Sequence, residues 1–242
     1  IALTGNPNSG KTTVFNAITG ARQRVGNWPG VTVEKIEGTA THRGCDIRVV
    51  DLPGVYSLTA YSMEELVARD YLFGERPDVV IDVVDASNLE RNLYLAQQLK
   101  ELNLPLIYAF NIMDEARKQG YEIDMAQLSK LLAAPIIPTV GTRGDGIREL
   151  LDLAVDMAEG RLAPQPLSFY YGEEIEAELR LIEPLLRQDE AICQTYPSRW
   201  TAVKLLEEDA VIGQIAAKSA RGDAILAQTR QSLDRLRDLF HD

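Results

Sequence analysis

The chain has 242 residues, of which 45% are hydrophobic and 25% charged, with a formal net charge of -11. This is the composition of a globular protein able to bury a core without staples, and the length suits one ordinary domain plus a smaller one. The acidic balance speaks against a nucleic-acid partner, because neutralising phosphates takes lysine and arginine, and no basic run relieves it.

Short apolar runs alternate with amphipathic segments along the first two thirds of the chain. The runs at 1–4 (IALT), 47–51 (IRVVD), 79–86 (VVIDVVDA), 105–110 (PLIYAF) and 135–140 (PIIPTV) read as buried strands. Segments 11–19, 62–74, 90–102, 124–134 and 146–159 read as helices. A βαβα order predicts an α/β fold with a mainly parallel sheet covered by helices on both faces. Residues 33–44 alternate in polarity and predict an exposed strand, in a hairpin with 47–51. The stretch 163–166 (APQP) reads as a linker, and after it only helical patterns follow, at 172–187, 198–208 and 209–240, the last broken near Ala220-Arg221-Gly222. The expected division is therefore 1–162 for the α/β domain and 163–242 for a small all-α domain. Cys45, Cys193, His42 and His241 are scattered, with neither a disulfide framework nor a metal-ligand spacing, so a reducing compartment is expected. No signal peptide is expected, and no run of 18 apolar residues is present in these 242 residues. The chain opens inside a predicted strand without a methionine, which predicts an excerpt of a longer protein.

Between the first strand and the first helix stands Gly5-Asn6-Pro7-Asn8-Ser9-Gly10-Lys11-Thr12, followed by Thr13. Two glycines, a lysine and a hydroxyl at this spacing form a phosphate-binding loop. Backbone N–H groups face the phosphate oxygens, Lys11 reaches the β- and γ-phosphates, and Thr12 offers its hydroxyl to Mg²⁺. At the end of strand 47–51, Asp51-Leu52-Pro53-Gly54 places a carboxylate for Mg²⁺ and a Gly54 N–H for a γ-phosphate. After the strand 105–110 comes Asn111-Ile112-Met113-Asp114; a carboxylate there accepts two N–H groups from guanine, whereas adenine would leave it facing an acceptor. Val140-Gly141-Thr142 can offer main-chain N–H to the guanine oxygen. Thr32, in the glycine-containing segment 22–38, is a candidate second Mg²⁺ ligand on a loop ordered by the γ-phosphate, flanked by Gly30, Val31, Val33 and Glu34.

Taken in order, GNPNSGKT, Thr32, DLPG, NIMD and VGT resemble the motifs of the small GTPases of the translation-factor-like class. VGNWPGVTVE, DLPGVYSL, NLERNLYLAQQL and the tail YPSRWTAVKLLEEDAVI narrow the resemblance to the cytosolic N-terminal region of the bacterial ferrous iron transport protein B family. The resemblance covers nearly the whole chain. It implies a G domain that binds and slowly hydrolyses GTP, with Asn8, Lys11, Thr32 and Gly54 in the catalytic machinery. It also implies a helical domain that modulates GDP affinity and leads to a polytopic membrane region beyond residue 242. Mg²⁺ would be held by Thr12, Thr32 and Asp51. An activating K⁺ would be held by Asn8 and by backbone carbonyls near Gly26 and Trp28. The implied setting is the cytoplasmic face of the bacterial inner membrane. The partners are the chain's own membrane domain, small cytosolic proteins of the same uptake system and further copies of the chain. Iron itself is not expected to bind this part.

Two departures from the GTPase pattern stand out. Ile112 replaces the lysine of Asn-Lys-x-Asp, which predicts faster nucleotide release. No glutamine follows Gly54 to orient water, which leaves catalytic help to a cation at Asn8 or to an acid such as Glu64 or Glu65. For those two glutamates the competing reading is a helix start decorated with acids; for Asn8 it is a loop-stabilising hydrogen bond; for Trp28 it is a hydrophobic anchor. Two other functions fit the same motifs: a GTPase acting on ribosomes or RNA, and a nucleotide-sensing module that does not hydrolyse.

Overall fold

The computed structural model describes residues 1–59, 61–167 and 169–241. The chain forms two compact units, Ile1–Leu167 and Ser168–Asp242. The sequence boundary at 162 falls five residues earlier. The intervening stretch stays with the first unit, where the buried Lys100 ammonium donates to the carbonyls of Ala133 (2.8 Å) and Gln165 (2.5 Å).

The first unit is built on a seven-stranded sheet. Its strands are β1 (Ala2–Gly5), β2 (Gln23–Asn27), β3 (Glu34–His42), β4 (Cys45–Asp51), β5 (Val80–Asp85), β6 (Leu106–Asn111) and β7 (Ile136–Pro138), in the order β2-β3-β4-β1-β5-β6-β7. From β4 to β7 the neighbours are parallel, whereas β2 and β3 form an antiparallel extension at one edge. The α-helices described in this unit are α1 (Lys11–Thr19), α2 (Met63–Gly74), α3 (Leu89–Glu101), α4 (Met113–Lys118), α5 (Met125–Leu131) and α6 (Ile147–Ala158).

Strand alternation sorts the core into two layers. Leu3, Ile81, Val83, Ile107 and Ala109 pack with Val14, Phe15 and Ile18 of α1 and with Leu150, Leu151 and Ala154 of α6. The alternate residues face α3, where the Tyr108 hydroxyl donates to the Ala96 carbonyl at 2.9 Å. The sheet is thus covered on both faces. The strands the sequence predicts all form. β2 is an addition: its five residues are all exposed, so no polarity pattern marks it, and only its pairing with β3 makes it a strand. The short helix α4 is likewise invisible to periodicity.

The second unit is all-helical, with α7 (Glu173–Arg187), α8 (Glu190–Thr195), α9 (Ser198–Leu206), α10 (Ala210–Ala217) and α11 (Gly222–Phe240). The expected break in 209–240 falls between α10 and α11. Asp189 explains how α8 separates from α7: its carboxylate caps Ile192 N–H (3.2 Å) and also takes Arg221 N–H (3.2 Å), tying the starts of α8 and α11 together. Arg199 bridges Glu176 and Glu183, and Arg235 makes a bidentate pair with Glu178 at 2.8 and 2.6 Å. Among the described residues, no helix is long and apolar enough to cross a membrane.

Candidate nucleotide site

The glycine-rich loop joins the end of β1 to the start of α1. Gly5 has φ 151°, and a Cβ there would lie 2.5 Å from the Val83 carbonyl, so only glycine lets the loop leave the sheet this close to β5. Asn8 (φ 68°) and Gly10 (φ 80°) are left-handed, while Ser9 N–H donates to Asn6 O at 3.2 Å. Thr13 and Val14 both donate to Gly10 O, at 3.0 and 3.1 Å. The N–H groups of Lys11 and Thr12 open the helix and have no partner in the turn before them, which suits an anion. Asn8 and Thr12 are exposed, whereas Asn6 is buried and donates from Nδ2 to the Arg91 carbonyl (3.2 Å).

The loop after β4 lies directly against this one. Val55 N–H donates to Gly5 O (3.3 Å), and a Cβ on Gly54 would touch the Pro7 backbone at 3.4 Å. Lys11 forms an ion pair with buried Asp51. Burial raises the Asp51 carboxyl above its ordinary range, and Lys11 opposes that shift. The residues expected to address the γ-phosphate and Mg²⁺ are therefore already in contact across two loops. Leu52 and Pro53 hold the turn between them, with Leu52 N–H on Leu3 O at 2.9 Å.

Asn111 ties three segments together. Its Nδ2 donates to Ser9 O (3.0 Å), and its Oδ1 accepts from Gly141 N–H (2.9 Å) and from the Thr139 hydroxyl (3.3 Å). Its side chain is 3% exposed, so its work is to lock the phosphate loop to the 139–142 loop. Ile112 is left-handed at φ 61°, a strained conformation for a β-branched residue. Its Cγ1 lies 3.9 Å from where a Gly10 Cβ would be, so it packs against the phosphate loop. Met113 N–H reaches Thr139 O at 3.4 Å, and Asp114 stands half-buried in the first turn of α4. Val140 N–H is engaged by Asp145 O (3.1 Å), Gly141 packs on Thr13 and Val14, and Thr142 is exposed.

The segment 22–33 is a hairpin arm rather than a free loop. Gly26 sits in β2 opposite Lys35, and Glu34 opens β3 opposite Asn27. The Trp28 carbonyl accepts from Val31 N–H at 3.3 Å, closing a turn through Pro29 and Gly30 (φ 76°). Thr32 is exposed beside it, between half-buried Val31 and Val33. The hydrogen bonds described for Gly26 and Trp28 thus run within the hairpin and not to Asn8. The Trp28 side chain is 8% exposed, which agrees with an anchoring role. Glu65 is occupied by structure: it takes Ser57 Oγ at 2.5 Å and the N–H groups of Tyr61 and Ser62 at 3.1 Å, and it completes a capping box with Ser62. Glu64 is exposed.

Sequence reasoning missed Thr139, Arg91, Asn92 and Gln98. Asn92 Oδ1 accepts from Asp85 N–H (3.1 Å), and Gln98 Oε1 accepts from Leu58 N–H (2.6 Å), fixing α3 to the sheet end and to the loop after Gly54. Arg91, Asn92 and Gln98 lie in the stretch NLERNLYLAQQL, which carried the family resemblance without being given a role.

Thr12, Asp51 and Thr32 offer two hydroxyls and a carboxylate, a hard-oxygen set that fits Mg²⁺. Asp51 is already placed beside Lys11, next to Thr12. For a monovalent cation, Asn8 offers an exposed amide oxygen at the loop, whereas the carbonyls of Gly26 and Trp28 belong to the hairpin.

The model of the ferrous iron transport protein B family matches residues 1–154, and that of the FeoB cytosolic helical domain matches residues 171–242. The chain is 44% identical over 229 residues to an Fe(2+) transport protein A/Fe(2+) transporter FeoB fusion protein of Porphyromonas gingivalis, covering 94% of this chain and 27% of that protein. It is 43% identical over 246 residues to the Fe(2+) transporter FeoB of Escherichia coli strain K12, covering 97% of this chain and 30% of that protein. It therefore spans less than a third of the curated relatives it matches. Among solved structures, a point mutant of S. thermophilus NFeoB bound to mGDP superposes with a TM-score of 0.88 at 36% identity, covering 100% of this chain and 90% of that one. The cytosolic domain of the T. maritima FeoB iron transporter in a GDP form gives a TM-score of 0.85 at 36% identity, covering 98% and 96%. The first unit has the P-loop GTPase fold. With both units matched along their length, the chain belongs to the ferrous iron transport protein B family.

Proposed function

We propose that this chain binds GTP with Mg²⁺ and hydrolyses it slowly, and that the reaction regulates or drives ferrous iron uptake through a membrane domain outside the chain. The carrying observation is the convergence of four loops: Asp51 meets Lys11, Gly54 meets Pro7, and Asn111 joins Ser9 to Gly141. Lys11 and the first N–H groups of α1 neutralise and orient the phosphates. Asp114, in the first turn of α4, selects guanine. Thr12, Asp51 and Thr32 would hold Mg²⁺, which supplies charge neutralisation between the β- and γ-phosphates. In hydrolysis a water attacks the γ-phosphorus while the bond to the β-phosphate oxygen breaks. Negative charge then gathers on that bridging oxygen, where preorganised positive charge lowers the barrier.

The side chains after Gly54 offer no amide, and Glu65 is committed to its helix cap. A K⁺ ion would be held by the Asn8 amide oxygen, with carbonyls of the 26–28 segment as further donors once that segment leaves its place beside β3, and would supply positive charge for the developing negative charge. Residues 168–242 act as a helical domain that tunes GDP release and leads to the membrane region. The chain works at the cytoplasmic face of the bacterial inner membrane, with small cytosolic partners of the uptake system and further copies of itself.

The test is GTP turnover in KCl against NaCl, with wild type and Asn8→Ala. Acceleration by K⁺, with a KCl/NaCl ratio near one in Asn8→Ala, supports the cation reading. Equal rates in the two salts for wild type remove K⁺ from the mechanism. Turnover in neither salt removes hydrolysis.

A further inference from the structure

Trp28 is the one buried residue in the stretch 21–33. Its ring meets Tyr71 of α2 edge-on, with centroids 5.3 Å apart and planes at 71°. On the β3 side, Lys35 Nζ lies 4.8 Å from the indole centroid. Edge-to-face aromatic packing and a cation over the ring both hold the indole in place. Yet the indole Nε1–H is buried with no hydrogen-bond partner among the described residues. A buried donor left unpaired opposes the gain from apolar burial, so this seat is occupied against a standing penalty.

Two backbone hydrogen bonds fold the chain around Trp28. Trp28 N–H donates to Val33 O (2.9 Å), and Val31 N–H donates to Trp28 O (3.3 Å). With Pro29 second and Gly30 third at φ 76°, Trp28–Val31 has the residue pattern of a type II turn. Thr32 is the next residue, so a displacement of Thr32 carries the turn, and the turn carries the indole. The opposite wall of the seat is also connected. Tyr71 belongs to α2, whose first turn is capped by Ser62 and Glu65, and Glu65 accepts from Ser57 in the loop that follows Gly54.

We propose that Trp28 is a positioning residue: its indole, seated between Tyr71 and Lys35, latches the Thr32 turn onto α2, and it leaves that seat when Thr32 engages the γ-phosphate and Mg²⁺. The inference rests on the GTP reading above. The seat thereby couples the two loops that meet the γ-phosphate, and a ligand that engages Thr32 shifts the population away from it.

The experiment uses the whole chain carrying Trp200→Phe, which leaves Trp28 as the only tryptophan. Emission wavelength and acrylamide quenching are read with Mg²⁺ and KCl in saturating GDP and in saturating GMPPNP, and binding of each nucleotide is measured separately by calorimetry. The expected result is a red shift and greater quenching with GMPPNP but not with GDP. Tyr71→Ala should show the exposed signal already in GDP, and should bind GMPPNP tighter relative to GDP by about threefold or more. Tyr71→Phe keeps the ring and should behave as the parent. If both nucleotides bind and Trp28 emission is the same in each, the latch is refuted while the GTP reading stands. If neither binds, the GTP reading falls and the latch with it. Should Tyr71→Ala fail to fold by circular dichroism, the comparison of GDP with GMPPNP in the parent decides alone.

Discussion

Asp82 gives the most quantitative prediction. It sits mid-strand in β5, 1% exposed, in register with Thr4 of β1 and Tyr108 of β6. Its neighbours Ile81 and Val83 face α1 and α6, so Asp82 faces α3. Its Oδ2, like Thr4 Oγ1, is buried without a hydrogen-bond partner among the described residues. Burial alone pushes its carboxyl from 3.8 to about 7. The folded protein therefore holds a proton that the unfolded chain releases near pH 4. Between those values, stability falls as pH rises, by up to about 1.4 kcal/mol per pH unit. The cost is absent below about pH 4, complete above about pH 7, and sums to about 4 kcal/mol as an upper figure. Asp82→Asn keeps the shape and cannot ionise. Its own buried amide adds a cost of about 1–3 kcal/mol that does not depend on pH. The assay is urea unfolding followed at Trp28 in the Trp200→Phe background, which reads the first unit's transition, from pH 5.5 to 8.5. The stability of Asp82→Asn relative to its parent should climb steadily to about pH 7 and then level off. A difference that stays constant across that range would refute the claim that Asp82 folds with its proton.

Two further substitutions probe the nucleotide site. Asn111→Ala removes the tie between Ser9, Thr139 and Gly141 and leaves the Gly141 N–H unpaired; it should cost about 1–3 kcal/mol of stability and weaken GDP binding, checked by thermal unfolding and calorimetry. Asp114→Asn should move preference from guanine toward xanthine nucleotides in competition binding, and unchanged GTP selectivity would remove Asp114 from base recognition.

The sequence carried its own evidence wherever a local rule was at work. Apolar runs such as VVIDVVDA and PLIYAF marked the buried strands, because a strand covered on both faces needs no polar residue. GNPNSGKT marked the phosphate loop, because a backbone that leaves only 2.5 Å between a Gly5 Cβ and Val83 O and turns left-handed at Gly10 narrows the choice of residue. The hairpin of 33–44 with 47–51 followed from alternation and formed as β3 and β4.

What the sequence could not disclose depends on long-range neighbours. β2 is exposed throughout and exists only through β3. Asn111 was read beside Asp114 as part of a base-binding motif, yet its amide is spent on Ser9 and Gly141, respectively 102 and 30 residues away. Glu65 could have been a catalytic acid on sequence alone; Ser57, Tyr61 and Ser62 take up its oxygens. Trp28 reads as a hydrophobic anchor from the sequence, but its partner, Tyr71, 43 positions on by the numbering of the chain, is set by the fold. Residue type and spacing thus determined which chemistry this chain can carry. The tertiary structure decided which of those side chains are left to carry it, because a buried polar group is claimed by whichever partner the fold brings within reach.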